Sequence, residues 1–159
     1  MVGKFFHKRL VNPIISLLKQ GISPEKIAMG VAGGIVLGIF PVLGSTTILS
    51  GLAAVIFQLN LPAMQLVNYM VYPLHLALLI PFFHLGDLLF RAEPLPLTAQ
   101  ELIGLLQSDL WGTIRSLWDT TMRAIVAWLL VSAPFFLALY AGLIHLLKRV
   151  KIPRWGAVN

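Results

Sequence analysis

The chain has 159 residues, of which 58% are hydrophobic and only 11% charged. Soluble domains carry about a quarter of charged residues, so a water-soluble fold has too little polar surface to cover this content, and a bilayer is the expected solvent. Net charge is +6 and there is no cysteine, which excludes thiol catalysis. The basic residues gather at the two ends of the chain beside apolar segments, a pattern that suits anionic lipid headgroups better than nucleic acid. The apolar runs are long and continuous, which argues against a β-barrel.

The start, Met1-Val2-Gly3-Lys4, lacks the apolar core and cleavage site of a signal peptide, so the N-terminus is expected to be retained. Residues 4–20 are predicted to form an interfacial amphipathic helix. Lys4, Lys8, Asn12 and Ser16 fall on one face; Phe6, Leu10, Ile14 and Leu18 fall on the other.

Residues 24–59 hold the organising feature, a broken helical hairpin. Ser23 suits an N-cap, Pro24 the first helical position, and Glu25 the positive end of the helix dipole. Gly30, Gly34 and Gly38 repeat every four residues, a spacing that lets a second helix approach closely. The second arm offers a matching small face in Thr47, Gly51 and Ala54. Between the arms lies Pro41-Val42-Leu43-Gly44, followed by the hydroxyl cluster Ser45, Thr46 and Thr47. An arm of about 15 residues rises only ~22 Å against a hydrocarbon core of ~30 Å. The hairpin therefore either crosses where the bilayer is thin or turns back inside it, and the re-entrant form is carried forward. Irregular backbone at that depth has to be sheltered by protein or line a wet cavity. Gly44, Ser45, Thr46 and Thr47 then form a candidate phosphate or headgroup contact at a helix start. Plain capping by Ser45 is the competing reading.

Residues 62–90 are predicted to form one transmembrane helix kinked at Pro73 and Pro81. Gln65, Asn68, Tyr72 and His75 recur at three- and four-residue spacing as a polar stripe. It serves either the headgroup, together with Asn60, or simple cross-linking of the hairpin. His84 and Asp87 are expected to pair near the far interface. Residues 91–121 carry the acidic excess, with Thr98 and Glu101 placed as a capping box, and 98–120 read as a second interfacial helix marked by Trp111 and Trp118. Residues 122–148 are the clearest transmembrane helix, with Arg123 and Trp128 as anchors at one end and Lys148, Arg149, Lys151 and Arg154 at the other. Basic residues at both ends place both termini in the cytoplasm.

The expected fold class is thus all-α: one polytopic membrane domain over 1–159 with a broken, re-entrant hairpin, two transmembrane helices and two interfacial amphipathic helices. The order Ser23-Pro24-Glu25-Lys26-Ile27-Ala28, Gly34 through Pro41, then Asn60-Leu61-Pro62 resembles the bacterial membrane family called domain of unknown function 2062. The family pattern has an asparagine before the proline matched by Pro73, where this chain has Tyr72. The resemblance implies a small multi-pass inner-membrane protein. Similar domains are sometimes joined to glycosyltransferase domains, which implies a link to lipid-linked sugars or envelope lipids.

No catalytic constellation, metal-ligand spacing or cofactor motif stands out, so no enzyme, metal or cofactor is expected. His7, His75, His84 and His145 are dispersed. Two functional readings lead. One is a translocator or binder of anionic lipid or lipid-linked carrier headgroups, which at this length requires a homo-oligomer. The other is a non-catalytic anchor or scaffold for a membrane enzyme. An enzyme acting on lipids ranks last.

Overall fold

The computed structural model describes residue 16, residues 22–94 and residues 99–149. Apart from residue 16, the interfacial helix expected over 4–20 lies outside the described residues, as do Thr98 of the expected capping box, Lys151 and Arg154. The described elements are helices: α1 (Pro24–Gly38), α2 (Thr46–Ile56), α3 (Leu61–Met70), α4 (Tyr72–Phe90), α5 (Ala99–Ser108) and α6 (Leu110–Arg149).

Helix α1 begins where its sequence says it should. The Ser23 hydroxyl accepts from the Lys26 N–H at 3.3 Å and Pro24 opens the first turn. The same device starts α3, where the Asn60 side chain accepts from the Ala63 N–H at 2.9 Å and Pro62 lies in the first turn. These caps remove orphan donors that would otherwise weaken short helices.

Two boundaries differ from expectation. The segment 62–90 is not one kinked helix: it breaks at Val71, and Pro73 sits in the first turn of α4. A proline lacks an N–H and disfavours helix in the residue before it, so a fresh start is cheaper than a kink. Pro81 stays inside α4. Nor does a helix end near residue 120. The break comes at Asp109, whose carboxylate accepts from the Gly112 N–H at 3.0 Å and whose carbonyl accepts from the Thr113 N–H and hydroxyl. From there α6 runs unbroken through Arg123 and Pro134 to Arg149.

Helix α1 is the hub. It packs on α3, α6 and α2, while α4 lies mainly along α6. Its buried face is lined by Ile27, Ala28, Val31, Ala32, Gly34, Val36 and Gly38. One apolar cluster joins Val36 and Ile39 to Phe82, Ala124 and Trp128; a second joins Ile27 and Val31 to Val67. Small residues permit the closest approaches. A Cβ on Gly34 would lie 2.9 Å from the Met64 carbonyl oxygen, and one on Gly86 would lie 2.7 Å from the Arg123 backbone.

Polar ties set the levels of the helices. Lys148 pairs with Glu25 at 3.1 Å, and Lys26 Nζ donates to the Gln58 carbonyl at 3.3 Å. These contacts bring the start of α1, the end of α2, the start of α3 and the end of α6 to one end of the bundle. Gly38, at the far end of α1, meets Asn68 and His75. From His75, α4 continues for about 15 residues, or ~22 Å, beyond that level. There Asp87 pairs with Arg123 of α6 at 2.8 Å. The α1–α2 hairpin is therefore short beside the α4–α6 pair. Helices α4 and α6 are each long and apolar enough to cross a membrane.

Candidate functional site

The site of interest is the elbow between α1 and α2, with the side chains that collar it. A helix leaves its last carbonyls without intrahelical partners. In α1 two of these carbonyls are taken by side chains from other helices. The Trp128 indole Nε1 donates to the Val36 carbonyl at 3.2 Å, and His75 Nδ1 lies 2.9 Å from the Gly38 carbonyl oxygen. Because a carbonyl only accepts, Nδ1 carries the proton in that bond. Local turns close the rest, with the Phe40 N–H donating to Leu37 and the Val42 N–H to Phe40. Pro41, which has no N–H to satisfy, is fully buried.

The chain then surfaces. Leu43 and Gly44 are exposed, and Gly44 takes φ +82°, a left-handed conformation that favours glycine. Ser45 occupies the capping position of α2 without capping it; its hydroxyl donates back to the Val42 carbonyl at 2.8 Å. No side chain among the described residues caps α2, so its first N–H groups are left for another acceptor. Thr46 is buried, and Thr47 is exposed with its carbonyl accepting from the Gln65 amide at 2.9 Å.

Of the residues expected at the site, Gly44, Ser45, Thr46 and Thr47 are consecutive at the elbow. Asn68 and His75 are brought to its root by α3 and α4, with the Asn68 Oδ1 2.9 Å from where a Gly38 Cβ would lie. Tyr72 is about half exposed, its ring centroid 5.8 Å from that of His75. Asn60 is elsewhere. It caps α3 at the opposite end of α2 and lines a cleft of about 510 Å³ with Ile22, Ser23, Lys26, Gln58 and Leu59. At that end Glu25 is held below the usual carboxylate range, first by a hydrogen bond to its own backbone N–H and then by Lys148.

The glycine ladder divides. Gly34 and Gly38 meet Met64, Val67, Asn68 and Val71, so α3 covers them rather than α2, the partner expected from Thr47, Gly51 and Ala54. A Cβ on Gly30 would meet nothing within 4 Å, and one on Gly51 would come only within 3.8 Å of the Gln65 amide. Among the described residues, three buried bonding atoms have no partner: Ser50 Oγ, Asn68 Oδ1 and His75 Nε2. No group of His, Cys, Asp or Glu among the described residues is arranged to hold a metal ion.

Two expectations are corrected here. Asp87 pairs with Arg123 and not with His84, because Asp87 faces α6 and is buried while His84 is exposed. Trp128 is not an interfacial anchor: it is 7% exposed, donates to Val36 and meets Phe40 edge-on at 4.9 Å. The signal for it is present in the sequence. A tryptophan beside Ala124 and Ala127 in an apolar run has a close neighbour and an N–H in need of an acceptor.

Over residues 4–156 the chain matches the family described as "Uncharacterized protein conserved in bacteria (DUF2062)", and it belongs to that family. No curated protein and no solved structure matches it.

Proposed function

We propose that this family member is a small multi-pass protein of the bacterial inner membrane that binds the anionic headgroup of a lipid or lipid-linked carrier at the α1–α2 elbow and helps it through the bilayer. The carrying observation is the asymmetry of the elbow. The incoming carbonyls of Val36 and Gly38 are answered by Trp128 and His75, whereas the outgoing N–H groups of α2 have no side-chain cap. A helix start left open in this way favours an anion. The short hairpin is re-entrant, ending within the hydrocarbon beside the longer α4 and α6. Large apolar side chains on its outer arm support that placement: Ile48, Val55 and Ile56 are all at least 66% exposed. Both termini face the cytoplasm, and several copies together enclose the path.

The experiment replaces Thr47 with Asp. A carboxylate in the first turn complements the helix dipole and stabilises the helix while repelling an anion. In liposomes, the purified Thr47→Asp protein is expected to keep its fold and lose movement of fluorescent phosphatidylglycerol; the wild type moves it. A wild type that moves neither phosphatidylglycerol nor a polyprenyl phosphate refutes the translocator. The second reading, an anchor for a membrane enzyme, draws on the Gln65 and His75 bonds, which tie the hairpin to α3 and α4. In that case Thr47→Asp changes nothing.

A further inference from the structure

We propose a second lipid site, where α4 finishes beside α6, that takes a zwitterionic phospholipid headgroup carrying a primary ammonium. It depends on α4 and α6 crossing the bilayer, as their length and composition allow, and not on the elbow. A groove of about 370 Å³ lies between the end of α4 and the first half of α6, lined by Phe90, Asp119, Met122, Arg123 and Val126. The four α6 residues are spaced i, i+3, i+4 and i+7, so they share one face of the helix. Their chemistry is graded along that face. Asp119 and Arg123 stand nearer the start of α6, and Val126 lies deeper in the apolar run. Phe90, Met122 and Val126 are each more than a third exposed. Arg123 reaches back towards the start of α6, its Nε donating to the Asp119 carbonyl and its Nη2 to the Thr120 hydroxyl. Its charged end is thus turned away from the membrane interior while its stem stays along the apolar wall. Charge at one end of the groove and an apolar wall at the other match a headgroup followed by an acyl chain.

Which headgroup fits follows from the charges. Arg123 is matched by Asp87 at 2.8 Å. Asp119 is exposed, and among the described residues no cation pairs with it: neither Arg115, one turn away on α6, nor Arg91, at the end of α4, forms an ion pair there. The unbalanced charge lining the groove is therefore negative, and a headgroup of net negative charge is repelled. Three of the five guanidinium N–H groups of Arg123 are taken, by Asp87, Thr120 and the Asp119 carbonyl, and among the described residues two remain. Those two donate to a phosphate oxygen, while the Asp119 carboxylate, one turn away, accepts from an ammonium. Phosphatidylethanolamine carries both groups on one headgroup. A choline headgroup has the positive charge but no N–H to donate, and phosphatidylglycerol lacks the cation. A metal ion does not fit, since no group of His, Cys, Asp or Glu among the described residues is arranged to hold one.

The test reads which lipid sits beside the groove. The chain has no cysteine, so a bimane label goes on Leu130→Cys, an exposed position one turn below Val126, and as a control on Leu52→Cys, exposed on α2. Each labelled chain is placed in vesicles of equal parts phosphatidylethanolamine, phosphatidylglycerol and phosphatidylcholine, with one lipid at a time carrying brominated acyl chains. Quenching then gives the share of that lipid next to the label. At Leu130→Cys, phosphatidylethanolamine is expected about two- to fivefold above its share, the range of an exposed ion pair, with phosphatidylglycerol below its share. At Leu52→Cys the bulk composition is expected. Asp119→Asn removes the charge and keeps the backbone carbonyl that Arg123 uses, and should return phosphatidylethanolamine at Leu130→Cys to its bulk share. Bulk composition at Leu130→Cys without that change, enrichment of phosphatidylglycerol there, or equal enrichment of phosphatidylethanolamine at both labels overturns the site. Enrichment that survives Asp119→Asn overturns it as well. Each of these results leaves the elbow as it stands, because neither label lies there.

Discussion

Replacing Gly30 and Gly34 by alanine, one at a time, separates two positions that look equivalent along the chain. Both lie within α1 and both are buried. Alanine is the better helix former by roughly 1 kcal/mol at either site. At Gly30 the new methyl meets nothing within 4 Å, so that gain is kept. At Gly34 it would lie 2.9 Å from the Met64 carbonyl oxygen and 3.1 Å from two carbons of Val67. A backbone oxygen cannot swing aside as a side-chain end can, so α3 has to shift as a body, an overpacking cost of about 1–3 kcal/mol. The two variants should therefore differ by about 1–3 kcal/mol, with Gly30→Ala equal to or above wild type. Reversible unfolding in mixed micelles with rising SDS, followed by tryptophan fluorescence, measures the difference. Two variants lying within about 0.5 kcal/mol of each other would show that the α1–α3 approach is not as described, since errors of additivity are no larger than that.

Three further outcomes follow from the same contacts. Trp128→Phe keeps a ring against Phe40 but leaves the Val36 carbonyl unanswered, and should cost about 1–3 kcal/mol by the same unfolding measurement. Asp87→Asn leaves Arg123 without its ion partner. The loss should fall near the lower end of about 3–5 kcal/mol, because Arg123 is 20% exposed and also reaches Thr120 and the Asp119 carbonyl; Asp87→Asn with Arg123→Met should recover much of it. Glu25 has a folded-state pKa below its unfolded one, so its contribution is present above the ordinary carboxylate range and is lost as pH falls through the depressed value. Stability measured below about pH 4 should therefore decline less in Glu25→Gln than in wild type.

Helix starts are more legible in this chain than helix neighbours. Ser23 and Asn60 act as caps because capping is local, settled by a hydroxyl or amide three residues from the N–H it accepts. The open elbow is readable for the same reason: Pro41 and Gly44 interrupt any helix through them. Asp109 is as local a cap, but apolar periodicity runs on both sides of it and hides the break. Tertiary partners are not readable. The four-residue repeat marks a close approach but does not say to what, and α3 wins the Gly34–Gly38 face because its Val67 and Asn68 come level with it. Arg123 and Asp87 are separated by a whole loop and helix, so their pairing follows from the α4–α6 crossing at Gly86 and Ala124.

The central claim, that the elbow ends within hydrocarbon, has a direct test in liposomes. The chain has no cysteine, so a single introduced cysteine takes up a spin label cleanly. Leu43 at the elbow is 56% exposed and Ser23 at the basic end is exposed as well. With the protein in liposomes, a label on Leu43→Cys should relax readily with dissolved oxygen and little with a water-soluble nickel chelate, the reverse of a label on Ser23→Cys. Equal access of the chelate to both positions would place the elbow in water and contradict the account.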